Sequence, residues 1–322
     1  MTASNRRTIG LLLMTFGTCT TPDEVPAYLA HVRGGRPAPP ELVAEFQRRY
    51  QIVGGSPLIT ITDRQAAAVA DELNRTHADG PRFVPSIGML HSRPFIGEAI
   101  ADLARRGVRD IVAIIMSPQY SPYIMGGYHR AVDEARAALA AHGQTVSVQV
   151  AGAWHRNPLF LDALASRIRS ALATFPPEVQ ETVPVLLTCH SLPRRVVEHE
   201  PEYLAQIQET VQALVARVGL PEGRWYFAYQ SAGHTPEEWL KPDLKDLLPV
   251  LAARGHRHVL MAPVQFLADH LEILYDIDVA AREEAEREGI AFRRIESLNL
   301  DPTFIRALAQ VAEETLTARQ TV

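Results

Sequence analysis

The feature of this sequence that most constrains its fold is an alternation of short, almost wholly apolar segments with longer amphipathic ones. The apolar segments span residues 8–14, 82–87, 110–116, 145–150, 183–187, 224–229, 256–264 and 291–295. A strand with alternating polar residues has one solvated face, whereas a strand that is apolar throughout is buried on both faces of a parallel sheet. The segments therefore predict parallel strands joined by helices, which is an α/β fold.

The chain is long enough for two such sheets, and its two halves resemble each other. Its 322 residues correspond to about two domains of ordinary size. Residues 104–112 and 252–260 share a helix–glycine–strand pattern, and each is followed by a proline and then by a glutamine and an aromatic residue, Gln119-Tyr120 and Gln265-Phe266. We therefore predict two similar doubly wound, Rossmann-like domains with four-stranded parallel sheets, residues 1–152 and 153–300, and a last helix over 301–319 that can pack back on the first domain.

Composition and charge exclude several classes of protein. The formal net charge is −5 and there is no basic block, so nucleic acid is not a predicted partner. The longest aliphatic runs, 9–14 and 111–116, are far shorter than the ~20 residues that cross a bilayer. Glycine-rich nucleotide loops are absent, and two cysteines, Cys19 and Cys189, cannot by themselves hold an iron–sulfur cluster. These features predict a cytoplasmic protein with no integral membrane segment and no nucleotide cofactor.

Residues that could carry chemistry gather where the predicted strands end. His190 follows the strand over 183–187, at the edge where a parallel sheet binds its ligands. A single histidine at this place is either a structural residue or part of a site, and both interpretations stay open. Cys189 is its neighbour, but adjacent strand residues point to opposite faces. We therefore predict a buried Cys189 thiol rather than a nucleophile paired with His190.

A row of carboxylates follows the strand over 256–264. On an α-helix, Asp269, Glu272 and Asp276 would share one face because they are three and seven residues apart. A solvated acidic face is one interpretation. The apolar residues around the row, and its position after a strand, favour a second one, in which carboxylates and an imidazole bind a divalent metal or carry protons.

Arginines flank two glycine-rich turns in the first half of the chain. Arg33 precedes Gly34-Gly35, and Arg48 and Arg49 precede Gly54-Gly55. Guanidinium groups at the mouth of a cleft suit carboxylates, with which they form paired hydrogen bonds. Surface positions on an amphipathic helix are the alternative, and they fit Arg48 better than Arg49.

Several motifs together resemble those of the ferrochelatases, the enzymes that insert ferrous iron into a porphyrin. The motifs, in chain order, are Met14-Thr-Phe-Gly-Thr18, Ser56-Pro-Leu58, Gly88-Met-Leu-His91, Ser117-Pro-Gln-Tyr120, His190-Ser-Leu-Pro193 and Asp269-His-Leu-Glu272. The resemblance covers nearly the whole chain, and the last two motifs together are highly specific. It implies two doubly wound domains with a porphyrin cleft between them, a role in haem biosynthesis, and Fe2+ as the substrate metal.

The resemblance also implies roles for individual residues. His190 and Glu272 correspond to the pair that meets the metal, either as ligands or as proton acceptors. Accessory positions near the metal are Asp269, Asp276 and His91. In the branch acting on coproporphyrin III, the positions that hold propionates match Arg33, Arg49, Ser56 and Tyr128, and Phe16 is a further substrate-binding position that faces the macrocycle. Because coproporphyrin III carries four propionates and protoporphyrin IX two, this match favours coproporphyrin III as the substrate.

Three departures from the family pattern bear on the site. Phe16 stands where many coproporphyrin enzymes have a tyrosine on the opposite face of the iron, so that oxygen ligand is missing. Ala280 stands where a glutamate would continue the acidic row, which removes a carboxylate from an outer metal site. Residues 200–203 differ from the family's aspartate–proline–tyrosine run, and nothing in the sequence explains this change. No cysteine follows Cys189, so the C-terminal iron–sulfur cluster of some relatives is not expected here.

Three alternatives to a coproporphyrin III enzyme stay open. A protoporphyrin IX ferrochelatase and a cobalt-inserting tetrapyrrole chelatase use the same chemistry, since imidazole and carboxylate discriminate little between divalent metals. A porphyrin or haem carrier belongs to another class, and it would need the cleft and the arginines but not His190 and Glu272. The presence of that pair favours an enzyme, which we expect to act as a monomer.

Overall fold

The computed structural model describes residues 6–233 and 236–318, and within them it contains two parallel sheets. The strands are β1 (Thr8–Thr15), β2 (Arg82–Met89), β3 (Asp110–Ile115) and β4 (Ser147–Val150) in the first sheet, and β5 (Val185–His190), β6 (Trp225–Gln230), β7 (His258–Pro263) and β8 (Ala291–Arg294) in the second. Each strand corresponds to one apolar segment of the sequence, and every neighbouring pair is parallel. The predicted α/β fold with four-stranded parallel sheets is confirmed.

Both sheets have the same strand order. The order is β2-β1-β3-β4 in the first sheet and β6-β5-β7-β8 in the second. The first strand of each half therefore lies inside its sheet. The second strand lies on one side of it and the third on the other, and this reversal of the strand order opens a crevice at the carboxyl end of the first strand. Strand β5 continues beyond the predicted end at Leu187, so His190 is itself the last residue of a central strand.

Helices connect these strands and cover the sheets. They are α1 (Val25–Val32), α2 (Pro40–Val53), α3 (Leu58–Thr76), α4 (Ile96–Arg105), α5 (Gly126–Ala141), α6 (Pro158–Leu172), α7 (Arg194–His199), α8 (Pro201–Val218), α9 (Leu244–Ala253), α10 (Arg282–Arg287) and α11 (Pro302–Ala318). A short 3-10 helix (Pro22–Glu24) precedes α1, and a π-helix (Glu272–Ala281) precedes α10. Asn157 caps α6 by accepting a hydrogen bond from the main-chain N–H of Phe160, as its place before a proline predicts.

Apolar helices fill the space between the two sheets. Helices α3, α6, α8 and α11 share one core with the inner faces of both sheets, which includes Leu11, Phe160, Leu187 and Phe304. Helices α4 and α5 cover the outer face of the first sheet, and α9 and the π-helix cover that of the second. Because both faces of each sheet are buried in this way, the strands are apolar throughout.

The last helix packs against both halves of the chain. Helix α11 contacts α3 and β3 in the first half and α6 in the second. Residue 319, at which the sequence predicts this helix to end, lies outside the described residues. The division of the chain between residues 152 and 153 stays a prediction.

The segment that follows β7 differs from the sequence prediction. Asp269 precedes the π-helix, which begins at Glu272, so the prediction that Asp269, Glu272 and Asp276 share one helical face is wrong. The Asp269 carboxylate instead accepts hydrogen bonds from Ser297 Oγ at 2.7 Å and Asn299 Nδ2 at 2.8 Å. These bonds tie the loop before the π-helix to the segment after β8, and they give Asp269 a structural role.

Candidate active site

A cavity of about 510 Å3 lies at the carboxyl ends of the strands and draws its walls from both halves of the chain. The first half contributes Phe16 and Gly17 after β1, Arg49 and Tyr50 from α2, and Tyr128 from α5. The second half contributes His190, Tyr203, Ser231, Gln265, Glu272 and Asp276. A cavity of this size, mostly apolar with a few convergent polar groups, is typical of a site for an organic ligand.

His190 and Glu272 face each other in the wall formed by the second half. His190 ends β5 and Glu272 begins the π-helix, and the distance from Nε2 to Oε2 is 3.5 Å. The His190 Nδ1 atom contacts the main-chain oxygen of Ser191. Because a carbonyl can only accept, Nδ1 is the donor, so that in the neutral imidazole the lone pair of Nε2 faces Glu272. The Glu272 Oε2 atom is buried and receives no hydrogen bond from any described residue.

The π-helix brings a second carboxylate to the same wall. Asp276 lies in the cavity one turn beyond Glu272 and is mostly buried. Burial raises the pKa of Asp276 above its ordinary value, and the neighbouring Glu272 carboxylate raises it further, while Ser231 and Arg49 oppose the shift. A π-helix is rare and often marks a functional site. Here it presents a carboxylate that holds a proton more readily than an exposed aspartate does.

Arg49 joins the first half to the second at the cavity wall. Its Nη1 atom donates to Asp276 at 3.3 Å and its Nε atom donates to Glu45 at 2.8 Å. The guanidinium also lies over the ring of Tyr275, 4.9 Å from its centroid. Hydrogen bonds from Arg48 and then from Arg49 lower the pKa of Glu45 to about 2. A cation is thus held at the cavity wall by two carboxylates and an aromatic face.

Phe16 and two histidines form an aromatic cluster on the first-half side of the cavity. Phe16 is 48% exposed and lines the cavity, and its ring centroid is 4.5 Å from that of His91. The Nδ1 atoms of His91 and His31 are 3.0 Å apart. Burial, and then the nearby His31, lower the pKa of His91 to about 4, so its imidazole is neutral near pH 7. His91 supports Phe16 from behind and is not part of the cavity wall.

Two phenols, Tyr28 and Tyr50, add polar groups to the first-half side of the cavity. Tyr28 lines the cavity and donates to the main-chain oxygen of Gly17 at 3.3 Å, next to Phe16. Tyr50 bonds Thr18 Oγ1 at 2.9 Å. Burial raises the pKa of Tyr28 and that of Tyr50, so both stay protonated as donors. Tyr50 belongs to the Arg49-Tyr50 pair of the family motif, whereas Tyr28 has no motif of its own and is identified only by its bond to the loop after β1.

Two predicted binding residues lie outside the cavity wall. Arg33 is exposed in the turn after α1, where its main-chain oxygen accepts from Arg36. Ser56 is buried in the turn between α2 and α3, and its Oγ atom has no hydrogen-bond partner among the described residues. Of the predicted residues, the structure brings together Phe16, Arg49, Tyr128, His190, Glu272 and Asp276 around one cavity, and it leaves Arg33, Ser56, His91 and Asp269 away from its wall.

Both cysteines are buried, as the sequence predicts for Cys189. Burial raises the pKa of Cys19 to about 12 and raises that of Cys189 as well. A nucleophilic cysteine needs a lowered pKa, since the thiolate is the reactive form. The site therefore contains no activated thiol among the described residues.

Comparisons with known proteins agree with this geometry. A family model described as ferrochelatase matches residues 8–316. The chain is 35% identical to a ferrochelatase of Deinococcus radiodurans over 97% of each protein, and 34% identical to a coproporphyrin III ferrochelatase of Geobacillus kaustophilus over 95% of each. The solved structure of SirB from Bacillus subtilis with Fe3+ is similar in fold, with a TM-score of 0.56 at 10% identity, over 96% of this chain and 95% of that one. None of the described helices has the length and apolar character needed to span a membrane.

Proposed function

The chain belongs to the ferrochelatase family, and on this premise we propose that it inserts ferrous iron into coproporphyrin III, which gives coprohaem. Family membership makes the protein a porphyrin metal chelatase, a lyase of haem biosynthesis, whose substrates are a porphyrin and ferrous iron. The choice of porphyrin and the roles of individual residues are the proposed part.

The single observation that carries the proposal is that His190 Nε2 and Glu272 Oε2 face each other and that no hydrogen-bond donor of a described residue reaches Glu272 Oε2. A lone pair on Nε2 and a buried carboxylate oxygen without a donor face each other across 3.5 Å. Two acceptors at this separation repel unless a proton or a metal cation lies between them. Bonds of about 2.1 Å from each atom would meet at such a cation at an angle of roughly 110°. Nitrogen and carboxylate oxygen are both suitable ligands for ferrous iron.

The insertion reaction also releases two protons from the pyrrole nitrogens, which the site must accept. His190 and Glu272 are the residues that we propose to meet the iron, and both can also act as proton acceptors. Asp276 follows in the same wall, and because its pKa is raised it accepts a proton more readily than an exposed aspartate does. We propose that protons leave from the Glu272 side toward Asp276, along the π-helix.

Arg49 supports coproporphyrin III as the porphyrin. Its guanidinium lies in the cavity wall and is already held against carboxylates, so a substrate propionate can take the place of one of them. Arg33, at the end of α1, and Ser56 lie off the cavity wall, and their contact with propionates stays a prediction. Tyr128 lines the cavity and is proposed for a propionate, while Phe16 is proposed to contact the macrocycle itself, because an aromatic ring packs well on a flat tetrapyrrole.

Anaerobic incubation with ferrous iron and each porphyrin in turn tests the proposal. Absorbance should show faster conversion of coproporphyrin III than of protoporphyrin IX, by kcat/KM. Equal kcat/KM values for the two porphyrins would assign the chain to the protoporphyrin IX branch. Insertion of cobalt but not of iron would make it a cobalt chelatase. Porphyrin binding without insertion of any metal would support a carrier. The monomeric state and the cytoplasmic location stay predictions.

A further inference from the structure

Two glutamines at equivalent places in the two halves meet beside the cavity. Gln119 directly follows Pro118 in the loop after β3, and Gln265 lies two residues after Pro263, the last residue of β7. These strands occupy the same position in the two sheet orders. The Gln265 Nε2 atom lies 3.4 Å from Gln119 Oε1 and donates to it. The proline–glutamine repeat in the sequence thus becomes a direct contact between the halves.

Gln265 uses its side-chain amide to complete the sheet at His190. Strand β5 pairs with β7 up to Thr188, whose main-chain oxygen accepts from Val264 at 2.9 Å. Beyond that point β7 has ended, and the N–H of His190 points toward the vacated side because that of Ser191 bonds β6. The Gln265 Oε1 atom accepts from the His190 N–H at 3.3 Å. A side chain therefore supplies the acceptor that the next residue of β7 would have supplied.

The remaining bonds of Gln265 determine the orientation of its amide. Its Nε2 atom donates to Tyr203 Oη at 2.6 Å as well as to Gln119. Because the His190 N–H can only donate, the amide oxygen must face His190, and the amide nitrogen must face Tyr203 and Gln119. A flipped amide would lose the bond to His190. The amide is thus held in one arrangement by three different elements.

Gln119 extends this contact into the first half. It is fully buried, and its Nε2 atom donates to Thr210 Oγ1 in α8 at 3.0 Å. Thr210 in turn donates to the main-chain oxygen of Gln206, whose side chain bonds both the N–H and the oxygen of Tyr120. A continuous series of hydrogen bonds therefore runs from the His190 main chain to the loop after β3.

We infer that Gln265 is a positioning residue that holds His190 in place and couples its position to the contact between the two halves. The inference rests on the proposed metal role of His190 and Glu272. Gln265 does not meet the iron; it fixes the main chain from which the imidazole projects, and its bond to Gln119 ties that main chain to the first half. Loss of the amide should reduce iron insertion more than porphyrin binding.

Two substitutions of Gln265 distinguish a role in positioning His190 from a purely structural role. Gln265→Met keeps the length of the side chain and removes all of its hydrogen bonds. We expect the His190 amide proton to move upfield in a 15N–1H correlation spectrum, and kcat to fall about tenfold while KM for the porphyrin changes less than about twofold. Gln265→Glu keeps the acceptor for His190 and can accept from Tyr203, but it loses the bond to Gln119, because a carboxylate cannot donate to the Gln119 oxygen. We expect it to restore the His190 resonance and most of kcat.

Gln180→Met is the matched control. Gln180 is also partly buried and donates to two main-chain oxygens, of Ala173 and Phe175, but it lies away from the cavity. The Gln180→Met protein should have the native kcat and the native His190 resonance. If Gln265→Met has native kcat and a native His190 resonance while His190→Ala is inactive, the inference is overturned and the proposed function stands. Native turnover by His190→Ala would overturn the proposed function, and the inference with it.

Discussion

Replacing Arg49 by alanine should narrow the preference for coproporphyrin III without abolishing iron insertion. Arg49 lines the cavity, and its side chain is only 17% exposed. Its Nε and Nη1 atoms already bond Glu45 and Asp276. A substrate propionate must therefore compete with these carboxylates for the guanidinium, and the gain on binding is smaller than for an unpartnered arginine.

The magnitude follows from this competition. A hydrogen bond to a charged group contributes about 1.5–3 kcal/mol, which corresponds to a factor of roughly 10 to 150. Because the propionate replaces a carboxylate of the protein, the lower end applies. We expect the ratio of kcat/KM for coproporphyrin III to that for protoporphyrin IX to fall about tenfold in Arg49→Ala. Arg49→Lys should fall between the two, since lysine keeps the charge and loses the planar, paired contact.

The assay is anaerobic insertion of ferrous iron measured with both porphyrins, and Arg48→Ala is the matched control. Arg48 shares Glu45 with Arg49 and contacts Tyr275, but it does not line the cavity. The control should keep the native ratio. An unchanged ratio in Arg49→Ala, or an equal loss in Arg48→Ala, would refute the assignment of Arg49 to a propionate.

Three further predictions concern the first half of the chain. Phe16→Tyr should give the ferric porphyrin complex a phenolate-to-iron charge-transfer band that the native complex lacks, and an unchanged spectrum would place Phe16 away from the metal. The pKa of His91 is about 4 in the folded protein and about 6.5 when unfolded, so the unfolded chain binds the proton first as the pH falls. Stability should therefore decline between pH 6.5 and 4, and calorimetry should show a smaller decline in His91→Gln. Gly88→Ala would place a Cβ atom 2.8 Å from the Ile96 Cα and should lower stability by about 1–3 kcal/mol, whereas Gly97→Ala, with its nearest neighbour at 3.9 Å, should leave the Tm unchanged or slightly raised.

The strands could be predicted from the sequence because burial on both faces leaves a direct compositional signal. Each of the eight apolar segments corresponds to a strand, and the structure changes only their ends. His190 is an example: the polar residues Thr188 and His190 suggest that the strand has ended, yet pairing with β6 continues to Gln230. Main-chain pairing, rather than side-chain polarity, decides where this strand ends.

The helix that carries Glu272 could not be predicted in detail. A spacing of three and seven residues places side chains on one face only in a helix of α-helical period, and the prediction assumed that period for the whole segment. The structure has a π-helix in which Glu272 and Asp276 both face the cavity, while Asp269 lies before it. The partners of Asp269 come from the segment after β8, and local sequence gives no sign of them.

The contacts between the two halves could not be predicted from the sequence either. The Arg49–Asp276 pair joins residues 227 positions apart, and Gln119–Gln265 joins residues 146 apart. Each residue stands out only weakly in its own segment, and the two meet because the carboxyl ends of both sheets converge on one cavity. Within the first half, His31 and His91 are 60 positions apart and also meet, and local sequence gives no sign of this contact.

The most direct test of the central claim is single-turnover iron insertion by His190→Ala with coproporphyrin III already bound. Porphyrin affinity, measured by fluorescence quenching, should change less than about threefold, because aromatic walls and Arg49 hold the macrocycle. Insertion of iron should be abolished, while His142→Ala, an exposed histidine away from the cavity, should insert iron at the native rate. Native insertion by the His190→Ala protein would contradict the account.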